Sequence, residues 1–480
     1  LPIFSGFAAG AVAARLQDAD AVALITADGF WRRGQHVAMK EVADDAVALA
    51  PTVKHVIVQR RLGREIPWSD GRDLDWQTLV AAQEPVCEPA HLDSEHPLFI
   101  AYTSGTTGRP KGVVHVHGGF LVKIAEEVAY QTDLHPGELL FWYTDMGWIM
   151  GPWETIGANA NGAGVMLYEG APDFPNPDRL WALVERHRVD ALGVSPTLVR
   201  ALIPHGDEMV RAHDLSSLRI LASTGEPWNP DPWRWYFEVV GGSTKPVINI
   251  SGGTEVGACF LSCSPLTPLR PCTLGSPALG MAIDVYDSDG KPLPAGQVGE
   301  LVCTKPWPGM TRGIWGDPDR YIATYWSRWP DVWVHGDWAS TDEDGYWYLH
   351  GRSDDTLKIA GKRLGPAEVE SILASHTAVA ESAAIGIPNE VKGEKVWCYV
   401  VLRPGVDESE DLRAQLRALV GKGLGKAFTP DAVRFVDALP KTRSAKILRR
   451  TVRALALGED TGDLTSLENP AALDAVRNAR

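Results

Sequence analysis

Between residues 7 and 260 the chain alternates two hydrophobic rhythms. Stretches with apolar positions every three to four residues predict helices at 7–17 (FAAGAVAARLQ), 180–189 (LWALVERHRV) and 196–203 (PTLVRALI). Short unbroken apolar runs predict buried strands at 21–27, 53–59, 98–103, 164–168, 191–195, 219–223 and 246–250. Helix and strand in alternation predict an α/β domain with a largely parallel sheet, whose ligands bind at the carboxyl ends of the strands. Polar loops rich in glycine, threonine and acid follow three of these strands, after residues 102, 222 and 250. Three such loops at equivalent ends of neighbouring strands would form one site. From about residue 265 the rhythm changes to β segments punctuated by Pro and Gly, at 282–293, 297–303 and 345–352. Beyond 353 a smaller α+β unit follows, with helices at 367–376 and 411–420 and a strand at 396–402. There are no internal repeats and no low-complexity linkers.

The length of 480 residues suits two or three domains, and 45% apolar with 22% charged residues is ordinary for a globular chain. Lys and Arg number 46 against 61 Asp and Glu, a net charge of −15, which argues against nucleic acid or an anionic membrane as partner. No apolar run is long enough to span a bilayer, and no secretory signal opens the chain. The basic run 441–453 reads as a solvated loop and helix. Cys259, Cys263 and Cys272 lie close in sequence, but no CxxC or paired His accompanies them. Free thiols in a reducing compartment, the cytoplasm, are the expectation for all six cysteines. The chain opens at Leu1 inside an ongoing α/β pattern, as a fragment or incomplete chain would. No oligomeric state follows from these residues.

The stretch 102–115, YTSGTTGRPKGVVH, carries the strongest chemical signal. Glycines let several N–H groups face one point, hydroxyls add donors and Lys111 adds a full charge, which together build a phosphate cradle. A Walker A loop counted from Gly105 would need Gly at 110 and Ser or Thr at 112. Pro110 and Gly112 stand there.

Further motifs follow in order: STGEP (223–227), SGGTE (251–255), HGDWA (335–339), GRSDDTLKIAGKRLG (351–365) and PKTRSAKILRR (440–450). Together these resemble the adenylate-forming superfamily of acyl-CoA synthetases, luciferases and peptide-synthetase adenylation domains. The likeness to the acetyl-CoA and acetoacetyl-CoA synthetase branch covers the chain essentially end to end. It implies a large AMP-binding domain over 1–353, lacking its first segment, and a small mobile α+β lid over 354–480. The implied reaction joins a small carboxylic acid to ATP as an acyl-adenylate, with release of pyrophosphate. Coenzyme A then accepts the acyl group and AMP leaves. The implied ligands are ATP, Mg²⁺ and coenzyme A.

The resemblance assigns roles residue by residue. Thr103, Ser104, Gly105, Thr106, Thr107, Gly108 and Lys111 cradle the β- and γ-phosphates. Glu255 binds Mg²⁺, a hard ion that prefers oxygen, and Thr254 bonds the α-phosphate. Gly225, Glu226 and Pro227 pack beside adenine with Asn249 near its amino group. Asp337 takes the ribose hydroxyls, and Arg352 and Arg363 reach ribose and phosphate. Lys446 acts on the carboxylate and α-phosphate as these react, a point charge suited to developing charge. Asp354 is the hinge. Gly361, Phe4 and Gly6 line the thiol tunnel, and Arg32 meets the nucleotide phosphate of coenzyme A.

Two departures stand out. Gly252 occupies the place where acetyl-CoA synthetases carry an acyl-pocket tryptophan, and with Ile149, Met150 and Thr224 it would line a broader, mostly apolar cavity. Ala445 replaces the glycine usual before the lysine. An acid bulkier than acetate is therefore expected. Acetyl-CoA synthetase proper, an adenylating enzyme serving a carrier protein, and a non-catalytic nucleotide-binding scaffold are the alternatives.

Overall fold

The computed structural model describes residues 1–103, 111–353, 357–359, 362–389, 393–442, 447–462, 464 and 467–479. Its centre is a seven-stranded sheet in the order Ser276–Pro277, Ala258–Ser262, Val247–Gly253, Ile220–Ser223, Ala191–Val194, Leu139–Trp142, Gly164–Val165. The last five run parallel, Ala258–Ser262 pairs antiparallel with Val247–Gly253, and Ser276–Pro277 pairs antiparallel with Ala258–Ser262. Strand alternation divides their side chains between two cores. Leu192, Val194, Leu221 and Val247 face one, and Ala191, Ile220, Ala222, Ile248 and Ile250 face the other. Helices cover both faces, which is why these strands are apolar throughout.

Local signals explain the helices between them. Ser195 caps the helix Pro196–Leu202 by accepting from Leu198 N at 3.1 Å, and Pro196 supplies the preset φ at its start. The helix Arg179–His187 buries Leu180, Trp181, Leu183 and Val184 while its basic last turn stays outside.

The strand runs expected in one sheet divide among three. Ala23–Ala27 and His55–Gln59 pair in parallel in a separate three-stranded sheet completed by Asp73–Asp75. Pro97–Thr103 turns back on Lys111–Val116 as an antiparallel ribbon. Thus only two of the three polar loops leave neighbouring strands of the central sheet, and the third belongs to the ribbon. Its apolar run has the composition of a buried parallel strand, but its partner lies only a short loop away.

A four-stranded antiparallel sheet, Ile283–Tyr286, Gly299–Cys303, Trp333–Thr341 and Trp347–Arg352, follows. The smaller C-terminal sheet has five strands, Lys362–Leu364, Leu357–Ile359, Gly393–Leu402, Val379–Asn389 and Ala432–Phe435. The helices Pro366–Ala374 and Glu410–Leu424 bury Val369, Leu373, Leu412, Leu416 and Val420 against it. The basic C-terminal run ends in the helix Arg449–Leu457, one face of which is buried through Val452 and Leu455. No helix among the described residues is long and apolar enough to cross a membrane.

Candidate active site

The segment 311–315 ties the ribbon to the end of the central sheet. Val114 N donates to Gly313 O at 3.0 Å and Trp315 N to Gly112 O at 2.7 Å. The Thr311 hydroxyl donates to Val114 O at 2.8 Å, and Thr311 N donates to Glu255 O at 3.1 Å. This stitching brings Lys111, at the start of its ribbon strand, beside Glu255 in the single turn Thr254–Val256. The same segment leads into the helix Pro318–Tyr325, started by Asp317 accepting from Arg320 N at 3.1 Å.

At the meeting point Lys111 Nζ donates to the Tyr325 hydroxyl at 2.9 Å, and that hydroxyl donates to Glu255 Oε1 at 2.9 Å. Glu255 is buried. Burial works to raise its pKa, but the charges of His335 and Lys111 outweigh it and hold the carboxyl below its ordinary value. The Tyr325 phenol is pushed up by burial and by the Glu255 carboxylate. On the far side of Glu255 the chain at Gly253 runs so close that a Cβ there would lie 2.8 Å from His335 Cε1 and 3.1 Å from Glu255 Oε2.

His335, Asp337 and Arg352 come from the antiparallel strands Trp333–Thr341 and Trp347–Arg352, in which Asp337 and Arg352 are directly paired. His335 Nε2 lies 3.4 Å from Asp337 Oδ2, and Arg352 Nη1 lies 3.5 Å from Asp337 Oδ1. Arg352 also donates to His335 O at 3.1 Å. The His335 ring stands edge-on to Phe260 with Nδ1 buried and without a hydrogen-bond partner among the described residues.

Thr254 is held from behind. His115 Nε2 lies 2.7 Å from Thr254 O, and burial lowers the pKa of that histidine to about 4, so it is neutral and donates this proton. Asn249 is buried and donates from Nδ2 to Thr273 O at 3.0 Å. Gly225 and Pro227 are exposed on the loop after Ile220–Ser223, with Gly225 at φ +107°, a conformation open to glycine. The Glu226 carboxylate is committed elsewhere. Its Oε1 accepts from Thr197 N at 2.8 Å, and its Oε2 accepts from Arg200 Nη2 at 2.9 Å. Asn229, just beyond, accepts from Arg200 at 3.3 Å and donates to Ser371 Oγ of the small unit at 2.7 Å.

A second group lies around residue 148. Phe4 packs on Trp148 with ring centroids 5.0 Å apart, next to Ile149 and to Met150, where the helix Met150–Ala160 begins. Gly6 lies in the turn just after Phe4. The Thr224 hydroxyl donates to Ile250 O at 2.8 Å, two residues before Gly252, where the strand shifts register. Arg32 lies beside the Tyr143 phenol. Thr103 Oγ1 is buried and unpartnered among the described residues. Arg363 stands opposite Lys358 in the small sheet. Ser104, Gly105, Thr106, Thr107, Gly108, Asp354, Gly361, Ala445 and Lys446 lie outside the described residues.

Tyr325, His335 and His115 were not singled out from sequence. His335 and His115 lie inside quoted motifs, where a titratable residue beside the candidate acids is a usable signal. Tyr325 gives none, since its partners lie 214 and 70 residues away.

The donors offered here are oxygens. One ionised carboxylate suits Mg²⁺, which keeps several waters and binds through one or two carboxylates together with substrate phosphates. No group of three or more His, Cys, Asp or Glu among the described residues could hold a metal by itself, so Glu255 fits an ion that arrives with a nucleotide.

The family model described as AMP-binding enzyme matches residues 1–315, and that of the AMP-binding enzyme C-terminal domain matches 368–446. The chain is 46% identical to an acetyl-coenzyme A synthetase of Pyrobaculum aerophilum, aligned over 99% of this chain and 72% of that one. It is 42% identical to an acetyl-coenzyme A synthetase of Syntrophus aciditrophicus, over 100% of this chain and 74% of the other. Among solved structures, acetoacetyl-CoA synthetase from Streptomyces lividans superposes with a TM-score of 0.88 at 34% identity, covering 98% of this chain and 72% of that one. An anthranilate CoA ligase in complex with anthranoyl-AMP superposes at 0.80 and 26% identity, covering 94% and 82%. Its two matched domains, their order and its relatives agree: the chain belongs to the AMP-binding enzyme family of adenylate-forming proteins, in the acyl-CoA synthetase branch.

Proposed function

We propose that this protein is an AMP-forming acyl-CoA synthetase with two half-reactions. In the first, a carboxylate oxygen bonds to the α-phosphorus of ATP and the bond to pyrophosphate breaks. In the second, the thiol of coenzyme A gives up its proton, its sulfur bonds to the acyl carbon, and AMP departs. Approach of one anion to another calls for neutralisation and alignment. The observation that carries the reading is the convergence of Lys111, Glu255, Asp337 and Arg352 from two separate sheets and a turn onto one place.

Lys111 and the loop from Thr103 through Gly108 take the β- and γ-phosphates, and Glu255 takes Mg²⁺, which neutralises phosphate charge when bound. Thr254, held by neutral His115, presents its hydroxyl to the α-phosphate. Asp337, braced by Arg352, accepts from the ribose. Gly225, Glu226 and Pro227 offer their backbone to adenine, since the Glu226 carboxylate is already bound to Thr197 and Arg200. Lys446 reaches the reacting groups from the small domain, which divides from the large one at Asp354. Phe4, Gly6, Arg32 and Gly361 guide coenzyme A. Six cysteines without a disulfide and a charge of −15 support a cytoplasmic enzyme without a nucleic-acid partner.

The acid is bulkier than acetate in this reading because Gly252 brings no side chain to the position where acetyl-CoA synthetases carry an acyl-pocket tryptophan. The names of the relatives favour a second reading, acetate itself. Pyrophosphate release across a panel from acetate to branched and aromatic acids, with CoA thioesters identified by mass spectrometry, tests both. Adenylation without thioester would point to a carrier-protein acceptor. No adenylation of any acid would overturn the proposal.

A further inference from the structure

We infer that Tyr325 is a positioning residue for the magnesium–nucleotide complex: its hydroxyl is the spacer that holds the Lys111 ammonium and the Glu255 carboxylate at a set separation. The inference rests on the function proposed above and adds a residue to that site. An ammonium has only donors, so Lys111 donates to the phenol oxygen at 2.9 Å and the phenol gives its own proton to Glu255 Oε1 at 2.9 Å. The direction of the relay is thereby fixed. Lys111 also lies 5.0 Å from the centre of the Tyr325 ring.

The ring has little freedom to move. It stacks on Trp333 with centroids 4.2 Å apart and planes within 5°. Trp333 is fully buried and is packed edge-on by Trp307 and Trp326 at 5.4 and 5.6 Å. A residue needed only to fill this core could be phenylalanine, since nothing in the stacking uses the oxygen. The oxygen instead stands between two opposite charges in a buried place, where attraction between them is strong. Without it, Lys111 and Glu255 can close on one another, and each then competes with the group it serves, phosphate for the lysine and the cation for the carboxylate. AMP lacks the β- and γ-phosphates, so its binding does not draw on this pair.

The test is Tyr325→Phe in the full chain, which keeps the stacking. Mn²⁺ binding in the presence of a non-hydrolysable ATP analogue, followed by electron paramagnetic resonance, is expected to weaken about tenfold, the scale of one charge-assisted hydrogen bond. The KM for magnesium–ATP should rise by a similar factor, while AMP affinity and the KM for the acid stay within about twofold. In a Lys111→Met background the same substitution should change Mn²⁺–nucleotide affinity by less than about twofold, because the spacer then separates nothing. Unchanged affinity in Tyr325→Phe, an equal loss of AMP affinity, or full additivity with Lys111→Met would each overturn the inference. Should the phenylalanine variant not fold, Tyr325→His is the second variant, and Mn²⁺–nucleotide binding equal to wild type there also overturns it. Wild-type protein that neither binds the Mn²⁺–nucleotide nor releases pyrophosphate would instead overturn the proposed function, and the inference with it.

Discussion

Glu154 should make the large domain less stable as pH rises, and Glu154→Gln should remove that dependence. The residue lies one turn into the helix Met150–Ala160, is 1% exposed, and accepts from Trp142 N at 3.0 Å through Oε2. Burial lifts its pKa to about 8. An unfolded chain releases this proton near pH 4.5, so between 4.5 and 8 the folded state holds a proton that the unfolded state has lost. Stability therefore falls with rising pH across that window, by about 1.4 kcal/mol per pH unit for this group. His115 has the opposite slope lower down. Its folded pKa of about 4 lies below the ordinary 6.5, so its contribution is full above pH 6.5 and is lost as pH falls towards 4. From pH 6.5 to 8 the Glu154 slope is thus free of His115, and over that interval it amounts to about 2 kcal/mol. Glutamine keeps a carbonyl for Trp142 N and never ionises. Any packing penalty it carries is a constant offset and leaves the slope alone. The assay is urea unfolding of wild type and variant at pH 6.5 and 8.0, with tryptophan fluorescence reporting the large domain. The stability of Glu154→Gln relative to wild type should improve by about 2 kcal/mol between the two pH values. Parallel pH dependence in the two proteins would refute the reasoning and show that Glu154 is ionised in the folded state.

Gly253→Ala puts a methyl 2.8 Å from His335 Cε1 and 3.1 Å from Glu255 Oε2, so one of them must move. Pyrophosphate release should fall on the order of 10²-fold with the fold intact, and a loss under about threefold would show that the contact yields freely. Gly252→Trp should shift preference towards acetate or propionate with the ATP requirement unchanged. Each buried methylene contributes roughly 0.8 kcal/mol where room exists, so wild-type protein that already favours acetate over butyrate would refute the pocket argument. Lys446→Ala should lower adenylation by about 10²–10³-fold and spare thioester formation from supplied acyl-adenylate. Equal loss in both half-reactions would mean that the lysine does not act in adenylation alone.

The sequence reveals those parts of the fold whose environment is uniform along a run. Ala191–Val194 and Ile220–Ser223 are buried on both faces, so every residue is apolar or small and the run reads as a strand without knowledge of its neighbours. Trp333–Thr341 is a longer strand that the same reading misses, because it carries His335, Gly336 and Asp337 where one face opens onto the site. The ribbon Pro97–Thr103 is visible as a strand but not in its pairing, since apolar content reports burial and not direction. Motif residues are legible as types, yet what each carboxylate does depends on contacts far along the chain. Glu226 and Glu255 each lie in a glycine-containing loop just after a strand. Thr197 and Arg200, 29 and 26 residues before Glu226, tie the first into structure, and Tyr325, 70 residues after Glu255, joins the second to a lysine.

That difference between the two glutamates bears on how the site can bind a highly charged nucleotide without being built around permanent ion pairs. Glu226 spends both oxygens on a helix start and an arginine, so it gives its loop a fixed course and offers no charge to a ligand. Glu255 and Lys111 share a neutral phenol, which stands between their charges. Asp337 and Arg352 are directly paired in the ladder, with Arg352 Nη1 3.5 Å from Asp337 Oδ1. In the function proposed above, these are the charges that meet phosphate, cation and ribose. The backbone carries the cost of that arrangement. A stitched ribbon, a strand pair and a buried aromatic stack hold these side chains in place together with the hydrogen bonds from Lys111 to Tyr325 and from Tyr325 to Glu255, and substitutions in that frame, such as Gly253→Ala, should therefore cost activity before they cost stability.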